Sequence, residues 1–156
     1  MSGAFAIQPE QGRPIVLPIG DPMTILAGGA ETGAAMSVMT FEVSPLNGPP
    51  VHTHSREDEL WFVLNGEFRF KAGDNMLYAT TGGMAYGPRG LAHAFQNIGT
   101  VAGGLLVVTA PAGLEHFFQD WQSNRVDPRD EVAFSEFGAA YGLQFVGPPL
   151  SISDPI

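Results

Sequence analysis

The sequence predicts an all-β protein, a closed or double-sheet jelly-roll barrel with two helices at its C-terminal end. Its 156 residues fit one domain. The 20 Gly and 13 Pro are spread along the chain and separate roughly ten short apolar runs, a pattern typical of short strands joined by turns. We expect a single domain over 1–156, with a barrel core at about 34–110 and a helical extension at 111–156.

Alternating side chains mark the clearest strands. Residues 35–43 alternate in polarity, and a polar turn at 55–58 separates the short runs 51–54 and 59–64. Asn65-Gly66 predicts a hairpin, and Gly73-Asp74 predicts a second one.

The apolar period changes after Pro111, where it becomes helical. The first predicted helix has apolar residues at i, i+3, i+4 and i+7, namely Leu114, Phe117, Phe118 and Trp121. The second lies between Asp127-Pro128 and Gly142.

Charge and composition exclude several classes of partner. A net charge of −9 argues against nucleic acid and anionic membranes, because binding phosphate requires Lys and Arg. The first 11 residues lack the features of a signal peptide, and no apolar run reaches the ~18 residues of a membrane span, so we expect a soluble cytoplasmic protein. Cys is absent, so a metal site must use nitrogen and oxygen ligands.

Four residues are candidate metal ligands. His52 and His54 project together, because side chains at i and i+2 share a face of a strand. Glu59 lies across a turn from them, and His93 begins a later strand. A single His on a strand is more often a core or surface residue than a ligand, so the inference depends on all four meeting.

The spacing of these residues resembles the two motifs of the cupin superfamily. Residues 52–66 read His-x-His-x-x-x-x-Glu-x-x-x-x-x-x-Gly, and residues 82–97 read Gly-x-x-x-x-x-Pro-x-Gly-x-x-His-x-x-x-Asn. One departure is Leu46, which stands where the first motif usually begins with Gly.

The resemblance implies a single-domain cupin barrel, a double-stranded β-helix, that binds one divalent metal ion through His52, His54, Glu59 and His93. Three neutral imidazoles and one carboxylate suit Fe, Mn, Ni, Cu, Co or Zn. The adjacent Glu57 and Asp58 are expected to face solvent, and His116 is expected to be structural.

A more specific similarity concerns the quercetin 2,3-dioxygenase-like cupins. The segment 50–59, the segment 111–118 and the C-terminal residues 141–150 are similar to that subgroup. It implies ring cleavage of a flavonol-like or other enolic aromatic molecule by O2, with Glu59 as both ligand and proton acceptor. The expected pocket residues, each of which has plain barrel core as its alternative, are Trp61, Phe70, Met84, Tyr86 and Phe95.

Two alternatives to a dioxygenase stay open on the same ligands. One is a non-catalytic cupin that binds a small molecule or a metal, and the other is a metal-dependent isomerase, cyclase or decarboxylase.

A homodimer is also expected, because the face opposite Glu59 carries the apolar residues Leu60, Phe62 and Leu64.

Overall fold

A computed structural model describes residues 3–18 and 20–156, in which 11 strands form two antiparallel sheets. The strands are β1 (Arg13–Ile15), β2 (Met23–Ala27), β3 (Ser37–Val43), β4 (Pro50–His54), β5 (Asp58–Asn65), β6 (Glu67–Ala72), β7 (Asn75–Thr80), β8 (Met84–Gly87), β9 (His93–Asn97), β10 (Gly103–Ala110) and β11 (Leu143–Pro149). The helices are α1 (Gly29–Thr32), α2 (Leu114–Asn124), α3 (Glu131–Ala139) and α4 (Leu150–Ser153), preceded by a 3₁₀ turn at Pro9–Gln11. The predicted all-β jelly roll with C-terminal helices is confirmed, and the short helices α1 and α4 make the fold mostly β.

The chain crosses repeatedly between the two sheets. The six-stranded sheet has the order β1-β2-β3-β10-β5-β8, and the five-stranded sheet has the order β11-β4-β9-β6-β7. Along each strand, successive side chains point alternately to the inner and the outer face of the sheet. The inner faces share one core in which Trp61 of β5 and Phe70 of β6 contact each other, with ring centroids 5.5 Å apart.

The two sheets also include strands outside the segment 34–110, which the sequence indicated as the barrel core. β1 and β2 add two strands to one edge of the six-stranded sheet. β11 pairs with β4 at the edge of the five-stranded sheet, so the C-terminal segment supplies a strand as well as helices.

Of the two predicted hairpins, one is confirmed and one is wrong. Gly73-Asp74 joins β6 to β7, with Ala72 opposite Asn75. Asn65-Gly66 instead carries the chain from one sheet to the other, because β5 pairs with β10 and β8 whereas β6 pairs with β7 and β9. Gly66 has a φ of 99°, which explains the Gly in this tight turn without any pairing of its flanking strands.

Both predicted C-terminal helices are present as α2 and α3. Their contact is aromatic, with the rings of Trp121 and Phe134 4.9 Å apart. Neither these helices nor any other in the described parts of the chain is long and apolar enough to cross a membrane.

Glu115 fixes the start of α2 from a buried position. Its carboxylate accepts hydrogen bonds from the backbone N–H groups of Gly29 and Gly113, each at 2.7 Å, and from the hydroxyl of Ser37. Although burial opposes the charge, these hydrogen bonds lower the pKa of the Glu115 carboxyl. The helix is thereby tied to α1 and β3.

Candidate metal centre

The inner face of β4 presents two imidazoles. His52 and His54 alternate with Val51, which is buried on the opposite face against Leu150. The ring centroids of the two histidines are 5.1 Å apart. The i, i+2 prediction for this strand is therefore confirmed.

β5 and β9 bring the other two candidates to the same place. His93 stands directly opposite His52 in the ladder between β9 and β4. Glu59 comes from the facing sheet, where its side chain shares the inner face with Trp61. Each of the four residues offers a ligand atom, and these atoms lie within 4.8 Å of one another.

Glu59 lies between two imidazole nitrogens. Its Oε2 is 2.9 Å from Nε2 of His54 and 3.0 Å from Nε2 of His93. Nδ1 of His93 lies 2.9 Å from the carbonyl of Leu91, which can only accept, so this nitrogen carries the proton in the neutral ring. The lone pair of Nε2 then faces a carboxylate oxygen, an arrangement that requires a cation or a proton.

Burial and neighbouring charges determine the pKa values of these side chains when no metal is bound. Burial and the neighbouring rings of His93 and His54 lower the pKa of His52 to about 3. For His54 burial works in the same direction, but Glu59 and Glu57 outweigh it and raise the pKa to about 9. Glu59 itself, despite its burial, has a pKa far below its usual value because the two histidines face it.

The donor set fits a divalent transition metal ion. His54 is buried, and the geometry leaves its Nε2 without a hydrogen-bond partner although Glu59 is close. An ion bound at this point would satisfy this nitrogen, the lone pair on His93 and the carboxylate of Glu59 together. Three nitrogen ligands and one oxygen ligand suit Fe, Mn, Ni, Cu, Co or Zn.

Comparisons with known proteins agree with this architecture. Residues 38–109, which contain all four candidate ligands, match the family model for the cupin domain. The fold is a cupin fold. No curated protein matches the chain by sequence.

Solved structures share the cupin fold at low sequence identity. A predicted oxalate decarboxylase from Thermotoga maritima is 19% identical with a TM-score of 0.61, over 69% of this chain and 99% of that one. An RmlC-like cupin from Shewanella frigidimarina is 19% identical with a TM-score of 0.61, over 74% and 96%. KdgF from a Halomonas species is 14% identical with a TM-score of 0.61, over 70% and 94%.

Three of the predicted pocket residues lie inside this cupin barrel. Trp61, Phe70 and Phe95 are buried, and the Trp61 ring lies 5.0 Å from the His93 ring. Trp61 is the one of the three whose ring contacts a candidate ligand, and Phe70 packs behind it with ring centroids 5.5 Å apart.

The other two predicted pocket residues face outward, which corrects the prediction. Met84 is 52% exposed and Tyr86 is 50% exposed, whereas Ala85 lies inside opposite Trp61. The physical reason is space, because a Cβ on Gly87 would come within 2.9 Å of the Trp61 ring. Only small residues of β8 fit on its inner face beside that indole.

Sequence reasoning missed an aromatic residue beside the ligands. Phe145 of β11 is opposite His52 in the ladder, and the two rings are 6.2 Å apart. Its ring stacks on Phe134 of α3 at 4.8 Å. The alternation of Leu143 with Phe145 was the signal for an inward-facing strand.

The turn before β5 contains a second correction. Glu57 was expected to face solvent but is 2% exposed, and its Oε2 lies 3.4 Å from Nδ1 of His54. Asp58 is partly exposed and forms an ion pair with Arg89 at 3.0 Å. His116 has a 65% exposed side chain on α2 and is not one of the four clustered residues.

The cationic side chains all lie away from the four ligands. Arg69 and Lys71 occupy the outer face of β6. There Arg69 donates a hydrogen bond to the carboxylate of Asp154, and Lys71 borders a surface groove. The others are ion-paired or exposed, namely Arg13, Arg56, Arg89, Arg125 and Arg129. The charged groups at the site are therefore carboxylates and histidines.

Proposed function

We propose that this cupin is a metal-dependent dioxygenase that cleaves a flavonol-like or other enolic aromatic molecule. The observation that carries the proposal is the character of the interior. One carboxylate stands among three imidazoles, aromatic rings surround them, and no Lys or Arg is beside them. Such a site suits a flat, hydroxyl-bearing substrate, whose rings would contact the aromatic side chains while its oxygen reaches the ion.

His52, His54, His93 and Glu59 would hold the ion. A bound ion supplies a Lewis acid for the substrate oxygen and a path for electrons between the substrate and O2. Glu59 supplies the carboxylate of this group, and it would accept the proton of a substrate hydroxyl.

Two aromatic walls would orient the substrate. Trp61 closes the side next to His93, and Phe145 closes the side next to His52. A planar ring held between them gains apolar contact while its hydroxyl points to Glu59.

The alternative is a cupin that binds a metal or small molecule without turnover. One observation favours it. Two surface grooves of about 400 Å³ and about 450 Å³ lie away from the four ligands and have room for a small molecule. A metal-dependent isomerase, cyclase or decarboxylase would use the same ligands.

O2 consumption separates these functions. Protein loaded in turn with each candidate metal is mixed with quercetin or catechol in an oxygen electrode, with Glu59→Gln as the matched variant. Uptake of O2 that depends on metal and is lost in Glu59→Gln supports the dioxygenase. A metal spectrum that responds to quercetin without O2 uptake supports the cupin that binds without turnover. Product formed without O2 supports the isomerase, cyclase or decarboxylase.

We also propose a homodimer formed through the outer face of the six-stranded sheet. This face exposes four large apolar side chains on the neighbouring strands β5 and β8. They are Phe62, Leu64, Met84 and Tyr86, whose exposed fractions are 37%, 44%, 52% and 50%, respectively. Monomeric proteins rarely expose an apolar patch of more than a few hundred Å². A second copy bound about a two-fold axis covers the same patch on both chains.

A further inference from the structure

The three histidines of the metal centre differ in what holds their second ring nitrogen. Nδ1 of His52 is 2.7 Å from the carbonyl of Pro50, and Nδ1 of His93 is 2.9 Å from the carbonyl of Leu91. Both acceptors are neutral backbone groups two residues earlier in the chain. For His54 the nearby acceptor is a carboxylate oxygen of Glu57, at 3.4 Å.

Within the described part of the chain, the group that faces the Glu57 carboxylate at close range is His54, and Arg89 contributes a more distant positive charge. Glu57 is 2% exposed, and its Oε2 makes no hydrogen bond, like Nδ1 of His54 which faces it. Gly113, in the loop before α2, closes over the other oxygen, since a Cβ there would be 3.4 Å from Oε1. A carboxylate is costly to bury unless a cation or a hydrogen-bond donor faces it, and for Oε2 the nearby group is Nδ1 of His54.

We propose that Glu57 is a positioning residue for metal binding, which orients the His54 imidazole through Nδ1 and strengthens Nε2 as a ligand. A metal-bound histidine commonly gives its other N–H to a carboxylate, which fixes the ring orientation and makes the ring a better donor. Of the three candidate histidine ligands, His54 is the one whose second ring nitrogen faces a carboxylate.

The charge balance of the loaded site supports this role. Three neutral imidazoles and Glu59 leave a divalent ion with one positive charge. The carboxylate of Glu57, on the far side of the His54 ring, supplies the remaining negative charge. The two buried carboxylates would then balance the two positive charges of the ion.

The inference rests on the metal-binding part of the proposed function and not on the reaction. It is tested with Co²⁺, whose affinity is measured by competition with a chelator and whose visible spectrum reports ligand geometry. The variants are Glu57→Ala and Glu57→Gln, because the amide keeps the volume if the smaller side chain prevents folding. Asp58→Asn is the matched control, since Asp58 is the next carboxylate in the turn and pairs with Arg89 instead.

We expect Glu57→Ala to weaken Co²⁺ binding by roughly 10- to 100-fold, with a smaller loss in Glu57→Gln and a changed spectrum in both. Asp58→Asn should keep the affinity and spectrum of the wild type. Wild-type affinity and spectrum in both Glu57 variants, or an equal loss in Asp58→Asn, overturns the role of Glu57 alone. A wild-type protein that binds no Co²⁺ contradicts the metal site itself.

Discussion

His52 and His93 form the one registered pair of the β4–β9 ladder among the described residues, and their ring centroids are 4.5 Å apart. The middle of the five-stranded sheet is therefore joined by a short ladder at the point where two candidate ligands meet. An ion held by both side chains would bridge the two strands. Metal binding and the stability of this sheet are expected to be linked.

Metal loading should raise the melting temperature. At a free ion concentration 100 times the Kd, binding adds about 2.7 kcal/mol to the free energy of unfolding. For a chain of this length that corresponds to roughly 5–10 °C in scanning calorimetry. His54→Ala and His93→Ala should remain folded but lose the ion and the shift, whereas the exposed His116→Ala should keep both. Stoichiometric metal retained in both His54→Ala and His93→Ala would contradict the assignment of these residues as ligands.

The metal-free protein should be most stable near pH 6.5. The pKa of His52 falls from 6.5 to about 3 on folding, so its contribution is lost as the pH falls below 6.5. The pKa of His54 rises from 6.5 to about 9, so its contribution is present below pH 6.5 and lost as the pH rises toward 9. Urea unfolding of chelator-treated protein between pH 5 and pH 9 measures this dependence.

In the metal-loaded protein the alkaline part of this dependence should disappear, because His54 is then a neutral ligand. A metal-free protein whose stability rises steadily from about pH 6.5 to about pH 9 contradicts the assignment of His54.

Replacing Glu115 should destabilise the fold without affecting the metal. Glu115→Ala removes the acceptor of three hydrogen bonds in a buried place and should lower the free energy of unfolding by about 2–4 kcal/mol. The adjacent surface substitution His116→Ala should change it by less than about 0.5 kcal/mol. Urea unfolding gives both values, and a loss below about 1 kcal/mol in Glu115→Ala would show that this network contributes little.

The proposed dimer should dissociate when charge is placed on the outer face of the six-stranded sheet. Phe62→Glu and Met84→Glu bury a carboxylate in the proposed interface and should give monomers in sedimentation velocity. Tyr78→Glu on β7 is the matched control, because Tyr78 is 68% exposed on the other sheet. A monomeric wild type, or dimers that persist in both variants, rules out this interface.

The sequence could predict the ligands because their placement depends on local geometry. His52 and His54 need only the two-residue period of a strand, and the spacing of Glu59 and His93 completed a known pattern. The positions of Met84 and Tyr86 could not be predicted in this way. The period of β8 leaves two choices of face, and the bulk of Trp61 on the neighbouring strand decides between them.

The burial of Glu57 also depends on a distant contact. A carboxylate in a polar turn is normally exposed. Here Gly113 covers it from a loop more than 50 residues further along the chain. Likewise, Arg69 lies on the outer face of β6, where a charged side chain is normally exposed, but Asp154 at the C-terminal end helps to bury it.

The stack of Phe145 on Phe134 lies outside the region 38–109 that carries all four ligands and matches the cupin domain. The four candidate ligands and the aromatic surface beside His52 are therefore encoded in separate parts of the chain. Substitutions in the C-terminal segment can reshape the space beside His52 while every ligand stays in place. Selection, natural or in a laboratory library, can thus change the molecule that is accepted without rebuilding the metal centre.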